Sequence, residues 1–250
     1  MNVALWSAAP ALGNVQANVQ TVAAACKGGL VVFPELFLTG YNIGDDVQRL
    51  AFKDEDPRLQ PLRDACRATK THLVVGAPYT PRAGLTYNAA LCIDDEGAIT
   101  WVKKRALPTF TTFQEGLFFA NGMDQPVWHT KLGAIGVGIC YDLYFPEFHK
   151  EQVLMGADIL LNISASPSIS KRFFETLLPA RAVENAVFML YSNNVGAQDG
   201  IMFWGGAQAY GPRGDLLAKQ PDFEDGVQEL ELNLNDLQAA REFRPTIRDS

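Results

Sequence analysis

The chain has 250 residues, of which 48% are hydrophobic and 20% are charged, a length and balance that permit one large buried core. Its formal net charge is −7, and no basic tract offers to neutralise phosphates, so a nucleic-acid partner is not expected. No stretch approaches the roughly 20 apolar residues of a membrane span, and no secretory signal is visible, so we expect no membrane contact and a cytoplasmic location. The four cysteines, at positions 26, 66, 92 and 140, have no metal-ligand spacing and are expected to be thiols in a reducing compartment.

Short apolar runs alternate with amphipathic segments along the first half of the chain. Apolar residues at helical spacing, closed by Gly28 and Gly29, predict the first helix. The turn residues Asp95, Glu96 and Gly97 predict a hairpin between two later strands. Together these patterns predict strands at 2–7, 30–33, 72–77, 88–94 and 99–103, and helices at 14–27 and 57–71.

The second half begins with a strand that runs into Cys140 and a helix. Further strands are predicted at 157–163, 187–193, 202–204, 207–210, 216–218 and 227–232, with a second helix at 173–185. Residues 132–232 thus repeat the order of elements of residues 1–95, and hairpins interrupt the alternation of strands and helices. We therefore expect one α/β domain over residues 1–250, built as a two-sheet sandwich with helices outside.

Cys140 follows the apolar run 134–139 directly and precedes a predicted helix. A thiol at the end of a strand, on the turn into a helix, faces backbone N–H groups that favour an anion. Such thiols have a lowered pKa and are accessible to substrate, so Cys140 is a candidate nucleophile. The alternative is a small core residue, because most free cysteines are buried and inert.

Two further segments carry groups that would activate a thiol. Glu35 stands immediately after a predicted strand among Phe, Leu and Pro residues, and such surroundings weaken the charged form of an acid, which suits a general base. Lys103 and Lys104 end another strand, and an ammonium near the thiol would stabilise both a thiolate and an oxyanion. Each residue also has an ordinary alternative as a helix cap, a loop ion pair or a solvated charge.

Histidine is the usual partner of a catalytic cysteine, and the chain has three. His149 falls in the helix after Cys140, His72 opens a strand, and His129 precedes a Lys-Leu-Gly turn. We expect all three to lie at the surface or in turns. The sequence therefore gives a Cys-His protease no local support.

The Glu, Lys and Cys segments, in this order, resemble the nitrilase superfamily of carbon–nitrogen hydrolases over nearly the whole chain. Residues 13–18 look like its N-terminal helix signature, 33–41 like its glutamate motif, and 138–147 like its cysteine motif. Residues 104–115 look like its lysine motif and trailing second glutamate. The register of Leu107 and Pro108 selects Lys104 rather than Lys103.

This resemblance implies a four-layer αββα sandwich, assembled as a homodimer or larger homo-oligomer. It implies that Glu35 is the general base, Cys140 the nucleophile, and Lys104 an oxyanion donor together with the Tyr141 N–H. Glu115 then orients Lys104 or the substrate amine. The implied reaction proceeds through a thioester and needs no metal or organic cofactor.

The residues after Cys140 resemble amidase-type members, since Tyr-Asp replaces the Trp-Glu typical of true nitrilases. Parts of the chain also resemble the glutamine-hydrolysing domain of glutamine-dependent NAD synthetases. We therefore expect a small-molecule amide substrate, an ω-amide or a glutamine-like compound. N-carbamoyl or nitrile hydrolysis, and a non-catalytic interaction module of the same fold, remain alternatives. The expected substrate-binding residues are Tyr41, Phe113, Tyr141, Tyr144, Ser164, Ala165 and Arg172, with Lys171 beside Arg172 as a further cation for a substrate carboxylate.

Overall fold

A computed structural model describes residues 1–110, 113–123 and 127–249. Its strands are β1 (Asn2–Ala8), β2 (Gly29–Val32), β3 (Thr71–Arg82), β4 (Leu85–Ile93), β5 (Ile99–Lys103), β6 (Val127–Thr130), β7 (Gly133–Ile139), β8 (Ile159–Ser164), β9 (Phe188–Gln198), β10 (Ile201–Trp204), β11 (Gln208–Tyr210), β12 (Leu216–Lys219) and β13 (Gly226–Glu231). Its helices are α1 (Val15–Ala25), α2 (Val47–Leu50), α3 (Gln60–Thr69), α4 (Glu115–Phe118), α5 (Pro146–Leu154), α6 (Lys171–Asn185) and α7 (Asn235–Phe243). Short 3-10 turns lie at Gly44–Asp46, Pro57–Leu59, Cys140–Tyr144 and Ser168–Ser170.

The strands form one extended sheet whose two halves have matching topology. The order along it is β5-β4-β3-β2-β1-β9-β8-β7-β6. In the first half β1, β2 and β3 are parallel, and in the second β7, β8 and β9 are parallel; each half ends in an antiparallel partner. The halves join where β1 pairs with β9, at Ser7 and Asn193. The predicted similarity of the two halves is confirmed.

Alternation along the strands separates an inner core from an outer helical layer. Leu30 and Val32 of β2 pack with Ile135 of β7 in a cluster between the two halves of the sheet. Their neighbours Val31 and Phe33 point the other way, into a cluster with helices α1 and α3. Helices α5 and α6 cover the second half. The predicted α/β architecture, with helices outside two facing sheet layers, is therefore confirmed.

Two of the three histidines are buried, so their expected surface or turn placement is wrong. His72 lies inside β3, where its ring is 5.8 Å from that of Trp128. His149 lies in α5 and packs over Gly138 of β7, where an added Cβ would stand 2.8 Å from the His149 ring. Full burial lowers the pKa of His149 to about 3, so it is a neutral packing residue. His129 is exposed, as expected.

Strand β6 and helices α2, α4 and α7 are absent from the prediction, and β3 and β9 extend further than predicted. β6 is only four residues long, and its apolar positions are too few to show a period. None of the helices in the described part of the chain is long and apolar enough to cross a membrane.

Candidate active site

Cys140 occupies a sharp turn at the end of β7. Its φ of 48° lies in the left-handed region, which residues other than glycine rarely adopt. This backbone conformation costs free energy and persists only where neighbouring contacts hold it. The carbonyl of Cys140 accepts a hydrogen bond from Asn162 Nδ2 at 3.4 Å. The 3-10 turn Cys140–Tyr144 follows directly, and the first N–H groups of such a turn have no acceptor within it. The thiol thus stands beside backbone N–H groups, including that of Tyr141, that have no acceptor within the turn.

Asp142 holds this turn against the segment that carries Lys104. It is buried, and its Oδ2 accepts the Ile139 N–H at 3.0 Å. Its Oδ1 accepts the N–H groups of Ala106 at 2.7 Å and Arg105 at 3.2 Å. Burial raises the pKa of Asp142 to about 7, while the hydrogen bonds from Ala106 and Ile139 and the charge of Lys104 act in the opposite direction. Asp142 therefore links the nucleophile turn to the lysine segment.

Glu35 is presented by a strained loop that crosses directly over β3. Leu36, the next residue, has a φ of 51°. Gly76 of β3 makes the crossing possible, because a Cβ at this position would stand 2.1 Å from the Leu36 nitrogen. Backbone hydrogen bonds from Gly76 to Pro34 and from Leu38 to Gly76 fix the crossing. Glu35 is fully buried as a result.

Lys104 follows β5 by one residue and is fully buried. Its Nζ donates to Glu35 Oε1 and to Glu115 Oε1, each at 2.7 Å. The neighbouring Lys103 points elsewhere, with its Nζ 5.0 Å from the centre of the Tyr87 ring. The structure thus brings together Lys104, Glu35 and Glu115, and it separates them from Lys103.

Two further side chains complete the cluster around the carboxylates. Asn88 Nδ2 donates to Glu35 Oε1 at 2.7 Å and to Glu115 Oε2 at 3.2 Å. The Tyr41 hydroxyl donates to Glu115 Oε1 at 2.7 Å. Burial and the charge of Glu115 raise the pKa of Tyr41, so its hydroxyl stays protonated and remains a donor. Each carboxylate is therefore held by at least two donors.

The charges of the cluster stabilise one another. Burial alone would favour the neutral amine, but the two carboxylates raise the pKa of Lys104, so the lysine is a cation. Burial raises the pKa of Glu115, and the nearby Glu35 adds to this effect while Lys104 opposes it. The site thus holds a fixed cation between two acids of different environment.

The expected lowering of the Cys140 pKa is wrong for the resting site. Burial raises the pKa of the thiol well above its ordinary value, and the charge of Glu35 raises it further. Lys104 and the Ala165 N–H act in the opposite direction without prevailing. The same Ala165 N–H donates to Glu35 Oε2 at 2.6 Å, so one backbone group faces both the thiol and the acid. The resting thiol is protonated and needs a base.

A cavity of about 250 Å³ opens at Cys140. Of the expected substrate-binding residues, Phe113, Tyr141 and Tyr144 line it. The loop 164–172, which was expected to form part of the walls, contributes Ser166, Pro167 and Ser170. Sequence reasoning missed the other walls, which are Pro108, Phe110, Phe173 and Phe174.

The remaining expected substrate-binding residues lie elsewhere. Tyr41 and Glu115 line a separate cavity of about 210 Å³. The Ser164 hydroxyl donates to Asn162 Oδ1 at 2.7 Å, and Ala165 acts through its N–H. Arg172 is exposed and does not line the cavity at Cys140. Lys171 forms ion pairs with Asp222 and Glu175 instead.

Within residues 1–110, 113–123 and 127–249, no group of three or more His, Cys, Asp or Glu side chains is arranged to hold a metal ion. The cluster near Cys140 offers a thiol, two carboxylates and a lysine. These groups suit nucleophilic attack on a polarised carbon.

Comparison with known families gives the arrangement its context. Residues 1–242 match the family model described as carbon-nitrogen hydrolase. The chain belongs to the carbon–nitrogen hydrolase family. This membership supports a hydrolase that acts on carbon–nitrogen bonds, and it agrees with the resemblance drawn from the Glu, Lys and Cys segments.

Relatives within the family differ in reaction. A nitrilase of Pyrococcus abyssi is 32% identical over 82% of this chain and 78% of its own length. A glutamine-dependent NAD(+) synthetase of Aquifex aeolicus is 28% identical over 92% of this chain. The matched region covers 42% of the length of that synthetase. An amidase from Nesterenkonia sp. AN1, solved as a mutant with acrylamide added at the active site cysteine, is 26% identical with a TM-score of 0.84 over 97% of each chain. Relatives of this carbon–nitrogen hydrolase thus include proteins named as amidases and proteins named as nitrilases.

Asn88 and Asp142 are the two polar residues whose positions in the site the sequence did not predict. Asn88 opens a predicted strand, and nothing in the strand pattern distinguishes it from a surface polar residue. Asp142 belongs to the recognised cysteine motif, but its contact with residues 105 and 106 joins segments far apart in the chain. Only the folded arrangement of strands identifies both.

Proposed function

We propose that this chain hydrolyses small carboxamides to a carboxylic acid and ammonia through a thioester on Cys140. The observation that carries the proposal is the buried Lys104, whose Nζ donates to Glu35 and to Glu115 at 2.7 Å each. A cation fixed between two acids, beside a thiol on a strained turn, supplies a base and an oxyanion donor in one place. Ion pairs this deeply buried are costly to build, which favours a functional role.

In the first half-reaction Glu35 takes the thiol proton and the Cys140 sulfur attacks the amide carbonyl carbon. The electron pair of the C=O bond moves onto oxygen, where Lys104 and the Tyr141 N–H stabilise it. The oxyanion then re-forms the carbonyl, the C–N bond breaks, and the nitrogen takes the proton from Glu35. Ammonia leaves and a thioester remains.

In the second half-reaction water replaces ammonia. Glu35 takes a proton from the water, and the resulting hydroxide oxygen attacks the thioester carbonyl. The C–S bond breaks, the acid leaves, and the sulfur takes the proton back. One amide and one water thus become one acid and one ammonia, and Glu115 keeps Lys104 in place throughout. The described residues suffice for these steps without a cofactor.

Amide hydrolysis is favoured over the alternatives on specific residues. Tyr141 and Asp142 follow Cys140 where true nitrilases typically carry Trp and Glu, and the Nesterenkonia amidase supports the same reaction. The glutamine-hydrolysing relatives support ω-amides and glutamine as members of the test panel. A non-catalytic module has no need of a thiol, two carboxylates and a lysine buried in one cluster.

The test is ammonia release from a panel of carboxamides that includes glutamine, ω-amides, and aliphatic and aromatic amides. Wild-type protein, Cys140→Ala and Cys92→Ala are compared. Cys92 is a fully buried thiol of β4 in the core between the sheet layers, so Cys92→Ala controls for loss of a buried sulfur. We expect release by wild type and Cys92→Ala and none by Cys140→Ala.

A trapped acyl-enzyme, seen by mass spectrometry as an adduct on the peptide containing Cys140, would establish the thioester. Absence of release from every amide, with release from nitriles or N-carbamoyl compounds, would move the assignment to those reactions. Absence of any turnover or adduct would favour an interaction module.

A further inference from the structure

The cavity at Cys140 has no charged side chain among its lining residues in the described part of the chain. Its walls are rings, prolines and small hydroxyl residues. Tyr144 and the two serines supply neutral hydroxyls, and burial keeps the Tyr144 phenol protonated by raising its pKa to about 12. The cavity therefore offers apolar surface and neutral hydrogen bonds to whatever occupies it.

Three of the cations near this cavity in sequence are already paired with acids of the protein. Lys171 is paired with Asp222 and Glu175. Arg105 is paired with Glu151 at 3.4 Å. Lys104 is held by Glu35 and Glu115, and Arg172 is exposed outside the lining. Among the described residues, no side chain that lines the cavity would give a substrate carboxylate a counter-ion.

The rings form a continuous series from the mouth of the cavity to its floor. Phe110 and Tyr141 are in edge contact at 5.4 Å between ring centres, and Tyr141 and Tyr144 are 5.1 Å apart. Tyr144 in turn meets Phe174 edge-on at 5.9 Å. At the mouth, Phe110 and Phe173 are about half exposed. Such edge-to-face rings pack well against flat or branched apolar groups.

We propose that this cavity selects small amides whose acyl group is uncharged and apolar, either aromatic or branched aliphatic, and rejects acyl groups that end in a carboxylate. The inference rests on the proposed amide hydrolysis and names its substrate class. Binding a carboxylate here would remove its water without giving it a cation, which is unfavourable. The volume, below the roughly 300–1,000 Å³ of typical ligand sites, restricts the substrate to a small one. The ω-amides and glutamine suggested by sequence resemblance thus become the disfavoured members of the panel.

The first test compares two amides of nearly equal shape. In 4-methylpentanamide an isopropyl group stands where succinamate has its carboxylate, and the reacting amide is the same. We expect kcat/KM to be at least about tenfold higher for 4-methylpentanamide, because the carboxylate loses solvation without a partner. Benzamide serves as the aromatic member.

The second test supplies the missing cation. Ser170 lines the cavity, so Ser170→Arg should raise the succinamate to 4-methylpentanamide ratio of kcat/KM by at least about fivefold, since an arginine pairs with a carboxylate. Ser168→Arg is the matched control, because Ser168 is exposed in the same short turn and does not line the cavity. It should leave the ratio within about twofold of wild type, since an exposed charge is screened by solvent.

A binding readout keeps the inference separate from turnover. The thermal midpoint of Cys140→Ala should rise more with 4-methylpentanamide than with succinamate at equal concentration. Preferred hydrolysis of succinamate or glutamine by wild type would overturn the substrate class and leave amide hydrolysis standing. Failure to hydrolyse any amide, while the Cys140→Ala protein shows no preference between the two, would overturn both.

Discussion

The crossing of the Glu35 loop over β3 can be tested by adding one methyl group. In Gly76→Ala the new Cβ would stand 2.1 Å from the Leu36 nitrogen and 2.5 Å from Glu35 Cα. Both atoms belong to backbone, so neither can rotate away, and the loop must move by roughly 1 Å or more to restore ordinary contact. Because the Glu35 side chain is carried by this loop, its carboxylate must move away from the thiol and Lys104.

A displacement of this size has a definite expected effect on catalysis. A shift of about 1 Å in a catalytic group can cost about 100-fold in rate, or about 2.7 kcal/mol of transition-state stabilisation. We expect kcat/KM for a hydrolysed amide to fall by about this factor in Gly76→Ala. Overpacking should also lower the free energy of unfolding by about 1–3 kcal/mol.

Activity and stability must be separated by a second variant on the same strand. Val75 is fully buried against the outer helices, so Val75→Ala should cost about 1–3 kcal/mol of stability while leaving the Glu35 loop in place. Thermal midpoints and steady-state kinetics would be measured for both variants. If folded Gly76→Ala kept wild-type kcat/KM, or if Val75→Ala lost as much activity, the crossing would not be what positions Glu35.

Three other changes probe the cluster. Asn88→Ala removes the amide that donates to both carboxylates, and we expect kcat/KM to fall by about tenfold or more; wild-type kinetics would contradict this. Tyr41→Phe removes a hydrogen bond that lowers the pKa of Glu115, so the acidic limb of the kcat/KM pH profile should move to higher pH, and an unmoved limb would count against a role for Glu115. Because the pKa of Cys140 is raised, alkylation by iodoacetamide, followed by mass spectrometry, should keep accelerating above neutral pH. Lys104→Met removes a charge that lowers the pKa of Cys140, so alkylation of this variant at a given pH should be slower than that of wild type. A plateau of the wild-type alkylation rate below pH 7 would refute the reasoning.

Local patterns were sufficient for much of the fold and for the residues at strand ends. Cys140 and Glu35 were candidates because each directly follows a predicted strand, whereas Lys104 was chosen over Lys103 by the resemblance to the nitrilase superfamily. The missed elements β6, α2 and α4 have only four residues each, and α7 lies beyond the repeated halves. The alternation of apolar and polar residues cannot identify an element of so few residues.

The pKa of Cys140 and the side-chain contacts of the site could not be predicted from the sequence. A thiol at the start of a helix predicts a lowered pKa, but the turn after Cys140 is a short 3-10 turn and the cavity around it is largely apolar, so burial prevails. The buried positions of His72 and His149 depend on Trp128 and Gly138, which are distant in sequence or on another element. Arg172 looked available to a substrate only because its direction from the helix could not be seen.

The raised pKa of Cys140 is compatible with catalysis because the proposed proton transfer creates no new net charge in the buried cluster. The proton moves from one buried group, the thiol, to another, Glu35, and both face the N–H of Ala165. A neutral Glu35 then attracts Lys104 less strongly, and the ammonium becomes available to the oxyanion that forms as the sulfur attacks. The transfer that makes the nucleophile thus also releases the cation, which explains why Lys104 rests on Glu35 and is anchored independently by Glu115. On this reasoning Glu35→Gln should lose ammonia release because its amide cannot take the thiol proton, even though Glu115 still anchors Lys104.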